Sequence, residues 1–144
     1  MQLIFRVMSI GLQVSIIQPK IVKAASLVEH LTPERCFIYE NWGLISGGDP
    51  TVSVARARVK PGVTTRLHHL TNAQEIYIII KGEGKVQVGS IEPARVAEGD
   101  VVVIPAGASQ RIANTGKVDL VFYCVCTPAF MKERYVDEEA ENPT

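Results

Sequence analysis

The chain has 144 residues, a length typical of one globular domain. Hydrophobic residues make up 47% of it and charged residues 21%, and 15 basic side chains balance 15 acidic ones. This balance gives no support for a nucleic-acid partner, and no segment approaches the ~20 apolar residues of a membrane span. The 3 cysteines are an odd number and do not resemble a secreted disulfide framework, so we expect a reducing compartment, the cytoplasm.

The first 30 residues are predicted to form an N-terminal arm. The segment MQLIFRVMSIGLQVSII is apolar, but Gln2, Arg6 and Gln13 interrupt it. A secretory signal has a basic start and then an unbroken apolar run, so we do not expect export.

Short strands separated by glycine and proline turns follow the arm. The segments predicted to form strands are 35–42, 51–60, 75–84, 84–90, 95–100, 101–107, 110–119 and 120–128. Many short strands at close spacing predict an all-β sandwich or barrel. We predict one β domain over residues 31–130. An acidic tail, 131–144, is expected to form one or two helical turns and then a frayed end.

Ten positions fall into two clusters with fixed spacing. In the first cluster, the gaps between successive positions are five, one, four and six residues, and the positions are Gly62, His68, Leu70, Glu75 and Gly82. In the second cluster, the gaps are five, one, two and three residues, and the positions are Gly99, Pro105, Gly107, Gln110 and Asn114. They resemble the two motifs of the cupin family, G-x5-H-x-H-x(3,4)-E-x6-G and G-x5-P-x-G-x2-H-x3-N. The resemblance covers roughly residues 50 to 127 and implies a small jelly-roll barrel, or double-stranded β-helix.

The resemblance also implies one divalent metal inside the barrel, held by three histidines and a glutamate. His68 and Glu75 match the first and third ligand positions, whereas Leu70 and Gln110 replace the other two histidines. Gln110 offers only an amide oxygen, a weaker ligand than imidazole for transition metals. We therefore expect His68, Glu75 and Gln110 to hold zinc, iron, nickel or manganese weakly and exchangeably. The alternative is a metal-free site in which His68 and Glu75 form a buried hydrogen-bonded pair.

His69 would supply a second imidazole only if it faced inward. Successive side chains of a strand point to opposite sides, and the family pattern places positions 68 and 70 inside. We therefore expect His69 to face outward, at the surface or in an interface, unless a local bulge turns it in.

The same alternation predicts the lining of a small-molecule pocket. Glu75 facing inward implies the same of Tyr77, whose hydroxyl can bond a ligand and whose ring can equally serve as a core aromatic. The residues predicted to line the pocket are Ala55, Ala57, Thr65, Tyr77 and Cys124, with Thr65 at its mouth. Cys124 and Cys126 share one strand face, where a buried cysteine behaves as a small hydrophobe.

Two classes of function follow from these residues. In the first, the protein is a small metal-dependent enzyme, such as a dioxygenase, an isomerase or a decarboxylating enzyme. Its metal would polarise an oxygen-bearing substrate, and Tyr77 or Glu75 would move a proton. In the second, it is a metal-free or degenerate cupin that binds a small apolar or sugar-like molecule without chemistry. The missing histidines favour the second class, and the retained His68–Glu75 spacing favours the first.

The resemblance further implies a homodimer in which an N-terminal strand joins the neighbour's sheet. The segment ERCFIYENW, residues 34–42, has the aromatic and β-branched content for this role. Near-zero net charge also does little to keep two copies apart.

Overall fold

The computed structural model describes residues 17–140, and in this range the chain forms two antiparallel sheets packed around one core. The strands are β1 (His30–Leu31), β2 (Phe37–Trp42), β3 (Ser53–Val59), β4 (His68–Leu70), β5 (Gln74–Lys81), β6 (Glu83–Val88), β7 (Ala94–Ala97), β8 (Val101–Ile104), β9 (Gln110–Asn114), β10 (Leu120–Thr127) and β11 (Tyr135–Asp137). A short helix α1 (Leu44–Gly47) and two 3-10 turns (Ala24–Ser26 and Lys132–Arg134) complete these elements.

The strand order gives a six-stranded sheet, β1-β2-β3-β10-β5-β8, and a five-stranded sheet, β11-β4-β9-β6-β7. Both sheets also pair strands that are distant in sequence, such as β3 with β10 and β4 with β9, as a jelly roll requires. The predicted all-β jelly-roll fold is therefore confirmed. The part of the predicted arm before residue 17 lies outside the described residues.

The larger sheet is built around β10, which pairs with β3 on one side and β5 on the other. Its register places Cys124 opposite both Ala55 and Tyr77, and Cys126 opposite both Ser53 and Glu75. Because residues directly opposite each other share a sheet face, these side chains all face the barrel interior. The register thus brings residues from three strands to one end of that interior.

The turn between β5 and β6 depends on Gly82. Its φ of 83° lies in the left-handed region, and an added Cβ would lie 2.7 Å from the carbonyl oxygen of Asp119. Only glycine meets both conditions without strain. This turn positions β6 of the small sheet against the β9–β10 connection.

The opposite end of the interior is an apolar core. Alternate residues of both sheets meet there, and the largest fully buried apolar members are Val59, Ile79, Ile104, Ile112, Leu120 and Phe122. Each buried side chain of this size contributes roughly 1.5–3 kcal/mol to folding. The core fixes the distance between the sheets at the polar end as well.

The C-terminal tail differs from the expected frayed acidic end. One 3-10 turn, Lys132–Arg134, matches the predicted helical turn, but Tyr135–Asp137 then forms β11 and pairs with β4. Two ion pairs hold this segment, because Arg66 Nε lies 2.9 Å from Asp137 Oδ2 and 3.7 Å from Glu139 Oε2. A three-residue strand flanked by charges has too little alternation to be recognised in the sequence.

Membrane crossing by a helix finds no support in the described part of the chain. Within residues 17–140, no helix has the length and apolarity that a span needs.

Candidate functional site

His68 lies on β4 and turns its ring into the polar end of the barrel, with a side-chain exposure of only 4%. Its Nδ1 lies 2.8 Å from the backbone carbonyl oxygen of Arg66. A carbonyl only accepts, so Nδ1 carries the hydrogen and Nε2 of the neutral ring keeps its lone pair. The tautomer of His68 is thus set by the backbone, and Nε2 is the atom available to a ligand.

Glu34 faces that nitrogen, and the sequence did not predict its role. Its Oε1 lies 3.9 Å from His68 Nε2, and its side chain is 22% exposed. The Cys36 thiol donates to the other oxygen at 3.7 Å. Burial raises the pKa of Glu34, and the nearby His68 opposes that rise. Glu34 therefore reaches from solvent to the buried imidazole, and its carboxyl group keeps a proton to a higher pH than an exposed glutamate does.

Glu75, Gln110 and Tyr77 form a separate buried chain of hydrogen bonds. Gln110 Nε2 donates to Glu75 Oε2 at 2.8 Å, and the Tyr77 hydroxyl donates to Gln110 Oε1. Burial raises the pKa of Glu75 to about 7, although the Gln110 hydrogen bond and the charge of His68 oppose the rise. Burial also keeps Tyr77 neutral by raising its pKa well above the ordinary value. Gln110 thus connects a carboxyl group to a phenol, and both ends of its amide are occupied.

The predicted His68–Glu75 hydrogen bond is not what the structure shows. His68 bonds the Arg66 carbonyl and faces Glu34, whereas Glu75 bonds Gln110. The two predicted residues share the polar end but belong to two different sets of contacts.

As the structure arranges them, the residues at three of the four family ligand positions, Leu70, Glu75 and Gln110, have other contacts. Leu70, at the position of a family histidine, packs in an apolar cluster with Ala73, Cys126 and Tyr135. Gln110 would have to release the Tyr77 hydroxyl before its oxygen could ligate a cation. Among the residues described, no group of three His, Cys, Asp or Glu side chains is arranged to hold a metal. The metal ligands inferred for His68, Glu75 and Gln110 therefore remain a prediction.

Tyr135 is a second residue of the site that the sequence did not predict. Its ring stacks on His68 with centroids 4.8 Å apart and an interplanar angle of 26°. The pairing of β11 with β4 brings it there, opposite Leu70. An aromatic ring from the tail thus closes one side of the imidazole.

The predicted pocket residues are brought together only in part. Ala55 and Cys124 are partly exposed and lie opposite each other on β3 and β10. Ala57 is buried in the apolar core, as is Tyr77, whose ring packs on Phe122. Thr65, expected at the mouth, is buried instead, because its Oγ1 accepts the backbone N–H of Ile112 at 3.0 Å.

His69 faces away from the barrel, as the alternation predicted. Its Nδ1 donates to Glu138 Oε1 at 2.7 Å. The lowered pKa of Glu138 reflects its hydrogen bonds with Ser109 and then His69. His69 therefore anchors the tail and supplies nothing to the interior.

Comparison with known proteins agrees with this architecture. The family model of the cupin domain matches residues 55–126, half of the chain. The chain belongs to the cupin family. The cupin match spans β3 to β10 and includes His68, Glu75, Tyr77 and Gln110 of the polar end.

Two curated relatives and one solved structure are similar to this cupin. An uncharacterized protein of Methanocaldococcus jannaschii, MJ1618, is 35% identical over 81 residues, 56% of this chain and 64% of the relative. Mannose-1-phosphate guanylyltransferase of Escherichia coli is 30% identical over 118 residues, 78% of this chain but 23% of that enzyme. The crystal structure of a predicted oxalate decarboxylase from Thermotoga maritima has a TM-score of 0.68 and 23% identity, and the match covers 76% of this chain and 99% of that one.

These similarities differ in what they establish. The match spans less than two thirds of either curated relative, 64% and 23% of their lengths. The structural neighbour, at 23% identity, shows the fold alone. Fold does not determine reaction, so the function has to be argued from the residues at the polar end.

Proposed function

We propose that the polar end of the barrel binds a small, hydroxyl-bearing molecule through Glu34 and His68 without a resident metal. The observation that carries this proposal is the 3.9 Å separation of His68 Nε2 and Glu34 Oε1. This gap is too long for a direct hydrogen bond and suits an intervening hydroxyl group. A hydroxyl there can donate to Nε2 and accept from a protonated Glu34.

The surroundings of this pair favour an oxygen-rich ligand over an apolar one. The Tyr135 ring beside His68 gives an aromatic wall, and Glu34 is the polar group that reaches solvent. Such a combination suits sugar-like molecules, which present hydroxyl groups at the edge of an apolar ring face. Mannose-1-phosphate guanylyltransferase, one of the relatives, acts on a sugar phosphate by its name.

Proton transfer is the chemistry that this arrangement supports. His68 Nε2 accepts a proton from a bound hydroxyl, and Glu34, with its raised pKa, supplies or stores one. Tyr77 and Glu75, the residues expected to be catalytic, are less accessible to a substrate, because both are buried and hydrogen-bonded to Gln110. We therefore place any acid–base role on the Glu34–His68 pair.

A ligand-binding screen tests the proposal directly. Saturation-transfer NMR with monosaccharides, amino sugars and hydroxy acids is expected to identify a ligand of the wild-type protein that Glu34→Gln and His68→Gln each bind at least tenfold more weakly. His69→Gln is the matched control, because the neighbouring ring faces Glu138 and should leave binding unchanged. Equal binding by the His68 and His69 variants would contradict the proposed site.

A divalent-metal site is the second candidate, and the orientation of His68 favours it. Ligating histidines commonly donate their other ring N–H to a backbone carbonyl, as Nδ1 does here to Arg66. Elemental analysis of the wild type and of His68→Ala, after incubation with zinc, iron, nickel and manganese, separates the candidates. A near-stoichiometric metal that the variant loses would favour the metal-dependent enzyme, and a metal-free wild type would favour the first proposal.

We further propose that the protein is a homodimer. The segment expected to join the neighbour's sheet, Phe37–Trp42, pairs with β3 of its own chain in the described structure. The dimer is therefore proposed from a different surface. The outer face of β5 and β8 exposes four apolar side chains, Ile78, Ile80, Val101 and Val103. A sheet face that stays in contact with water usually carries polar residues instead. This apolar face suits a second copy of the same sheet.

Light scattering at micromolar concentration tests the dimer. We expect about twice the chain mass of 15.8 kDa for the wild type and the single mass for Val103→Glu. Val118→Glu, in an exposed turn outside this face, is the matched control and should stay dimeric. A wild-type species at the single-chain mass alone would disprove the dimer.

A further inference from the structure

A basic groove lies on the outer face of the five-stranded sheet, away from the barrel interior. It has a volume of about 410 Å³. Its polar lining comes from the loop before β2, the segment before β4, strands β6 and β9, and the tail after β11. These lining residues are Arg35, Thr64, Lys85, Gln87, Arg111 and Glu139. The groove is large enough for a small molecule.

The register of the sheet concentrates positive charge at this groove. Lys85 on β6 lies directly opposite Arg95 on β7. Arg111 on β9 lies opposite Gln87, which is two residues from Lys85 on the same face of β6. Like charges directly opposite each other destabilise a sheet. Three cations on adjacent strands therefore favour an anion bound beside them.

Side chains of the described residues do not supply that anion. Lys85, Arg95 and Arg111 form no ion pair with an acidic side chain within residues 17–140. Arg111 Nε donates to Gln87 Oε1 at 2.9 Å, which fixes the guanidinium and leaves its two terminal nitrogens for another acceptor.

Two acidic side chains, Glu139 in the groove lining and Glu83 on β6, lie against groups other than the three cations. Glu139 Oε2 lies 3.6 Å from Arg35 and 3.7 Å from Arg66. Glu83 shares the outer face of β6, but its side chain packs against Gly116. The centre of the groove therefore keeps its positive charge, although the whole chain is neutral.

Arg35, which lines the groove, lies at the point where the chain reverses direction before β2. Arg35 has a φ of 72°, in the left-handed region that residues other than glycine seldom occupy. This conformation sends Glu34 toward His68 in the interior and Arg35 to the rim of the groove. Arg35 is held there by a 3.3 Å hydrogen bond from Nη1 to the carbonyl oxygen of Thr64.

We infer that this groove binds the phosphoryl or pyrophosphoryl group of a small molecule. Lys85 and Arg111, which line the groove, contact the anion, and Arg35 and Arg95 border it. Arginine presents a planar pair of donors that matches phosphate oxygens, and lysine adds a compact charge. The attraction is local, since the formal net charge of the chain is zero. This site is separate from the Glu34–His68 pair and does not depend on what the barrel interior binds.

Titration of the full chain with pyrophosphate, followed by amide NMR at low ionic strength, tests the inference. We expect saturable shifts at Lys85, Gln87 and Arg111 in the wild type. The double variant Lys85→Gln/Arg111→Gln should bind at least tenfold more weakly while its spectrum shows a folded protein. Lys81→Gln makes the same kind of charge change on β5 of the other sheet and should bind within twofold of the wild type.

Two further titrations define the anion. Inorganic phosphate should shift the same amides more weakly than pyrophosphate, and malonate, a dicarboxylate, should bind more weakly still. Absence of saturable shifts with pyrophosphate would overturn the inference. Equal weakening by Lys81→Gln would overturn it too, because general charge attraction would then explain the binding. Malonate binding as tight as that of pyrophosphate would overturn the phosphoryl assignment.

Discussion

The two ends of the barrel interior are built by the same strands but filled in different ways. At one end, Ile79 and Phe122 pack with Ile112 and Leu120 in a fully buried apolar core. At the other end, the same alternation of β5 brings Glu75 inward, where Gln110 bonds it. Strand alternation therefore fixes which way a side chain faces, whereas residue type decides whether that position packs in the core or forms hydrogen bonds.

The stability of the two ends should therefore respond differently to substitution. The apolar end depends on volume and buried area, so its cost arises from cavities. The polar end depends on satisfied hydrogen bonds, so its cost arises from donors or acceptors left without a partner. It should also depend on pH, because burial raises the pKa of Glu34 and raises that of Glu75 to about 7.

The largest expected effect is a truncation in the apolar end, Phe122→Ala. Phe122 is among the largest fully buried side chains, and its ring packs on Tyr77 with centroids 4.6 Å apart. We expect a loss of about 3–5 kcal/mol in the free energy of unfolding, measured by urea denaturation. Val118→Ala, at an exposed position, is the control and should change stability by less than about 0.5 kcal/mol. A loss below about 1 kcal/mol for Phe122→Ala would show that the two sheets collapse into the space.

The next effect is the pH dependence that Glu75 gives to the polar end. Burial raises its pKa in the folded protein from the ordinary 4.5 to about 7. Between these values the folded protein keeps a proton that the unfolded chain releases, so stability falls as the pH rises through this window. The full shift corresponds to about 3 kcal/mol.

Glu75→Gln tests this assignment, because the amide oxygen still accepts from Gln110 and carries no charge. Unfolding curves of the variant between pH 4.5 and pH 7 should show a smaller decrease in stability than those of the wild type. Part of the decrease should remain, since the pKa of Glu34 is also raised by burial. The same pH dependence in both proteins would mean that Glu75 is not the titrating group.

A smaller effect is expected for Tyr77→Phe. The change keeps the ring in the core but removes the hydroxyl that donates to Gln110 Oε1. A buried carbonyl oxygen then lacks its donor, which should cost about 1–2 kcal/mol in urea denaturation. Tyr123→Phe, on the outward face of the neighbouring strand β10, is the control and should be close to neutral. If Tyr77→Phe were neutral as well, Tyr77 would act only as a core aromatic.

The interior face could be predicted from the sequence because strand alternation is local. Motif spacing and the alternation of side chains along a strand predicted that Glu75, Tyr77 and Gln110 face inward and that His69 faces outward, and the structure agrees. The contacts between them did not follow, since motif spacing does not specify that Gln110 links Glu75 to Tyr77.

Glu34 and Tyr135 were missed for a different reason. Both come from outside the motif region, Glu34 from the loop before β2 and Tyr135 from a three-residue strand in the tail. Neither lies in an alternating segment, so no local pattern shows which way its side chain faces. The loop reversal at Arg35, with its φ of 72°, and the pairing of β11 with β4 place them beside His68. Long-range pairing of this kind is decided by packing and not by local sequence.

The smallest expected effect concerns the tail that carries Tyr135 to the site. Glu138 accepts hydrogen bonds from Ser109 Oγ at 2.8 Å and from His69 Nδ1 at 2.7 Å. These contacts are partly exposed, so Glu138→Ala should lower global stability by less than about 1 kcal/mol. Hydrogen exchange of the amides in Tyr135–Asp137 should nevertheless become faster, because the end of β11 loses its anchor. Glu133→Ala, in the preceding 3-10 turn, is the control and should leave exchange unchanged. Unchanged exchange in Glu138→Ala would mean that the packing of Tyr135 against Leu70, Ala73 and Cys126, together with the ion pairs of Arg66, holds the tail without Glu138.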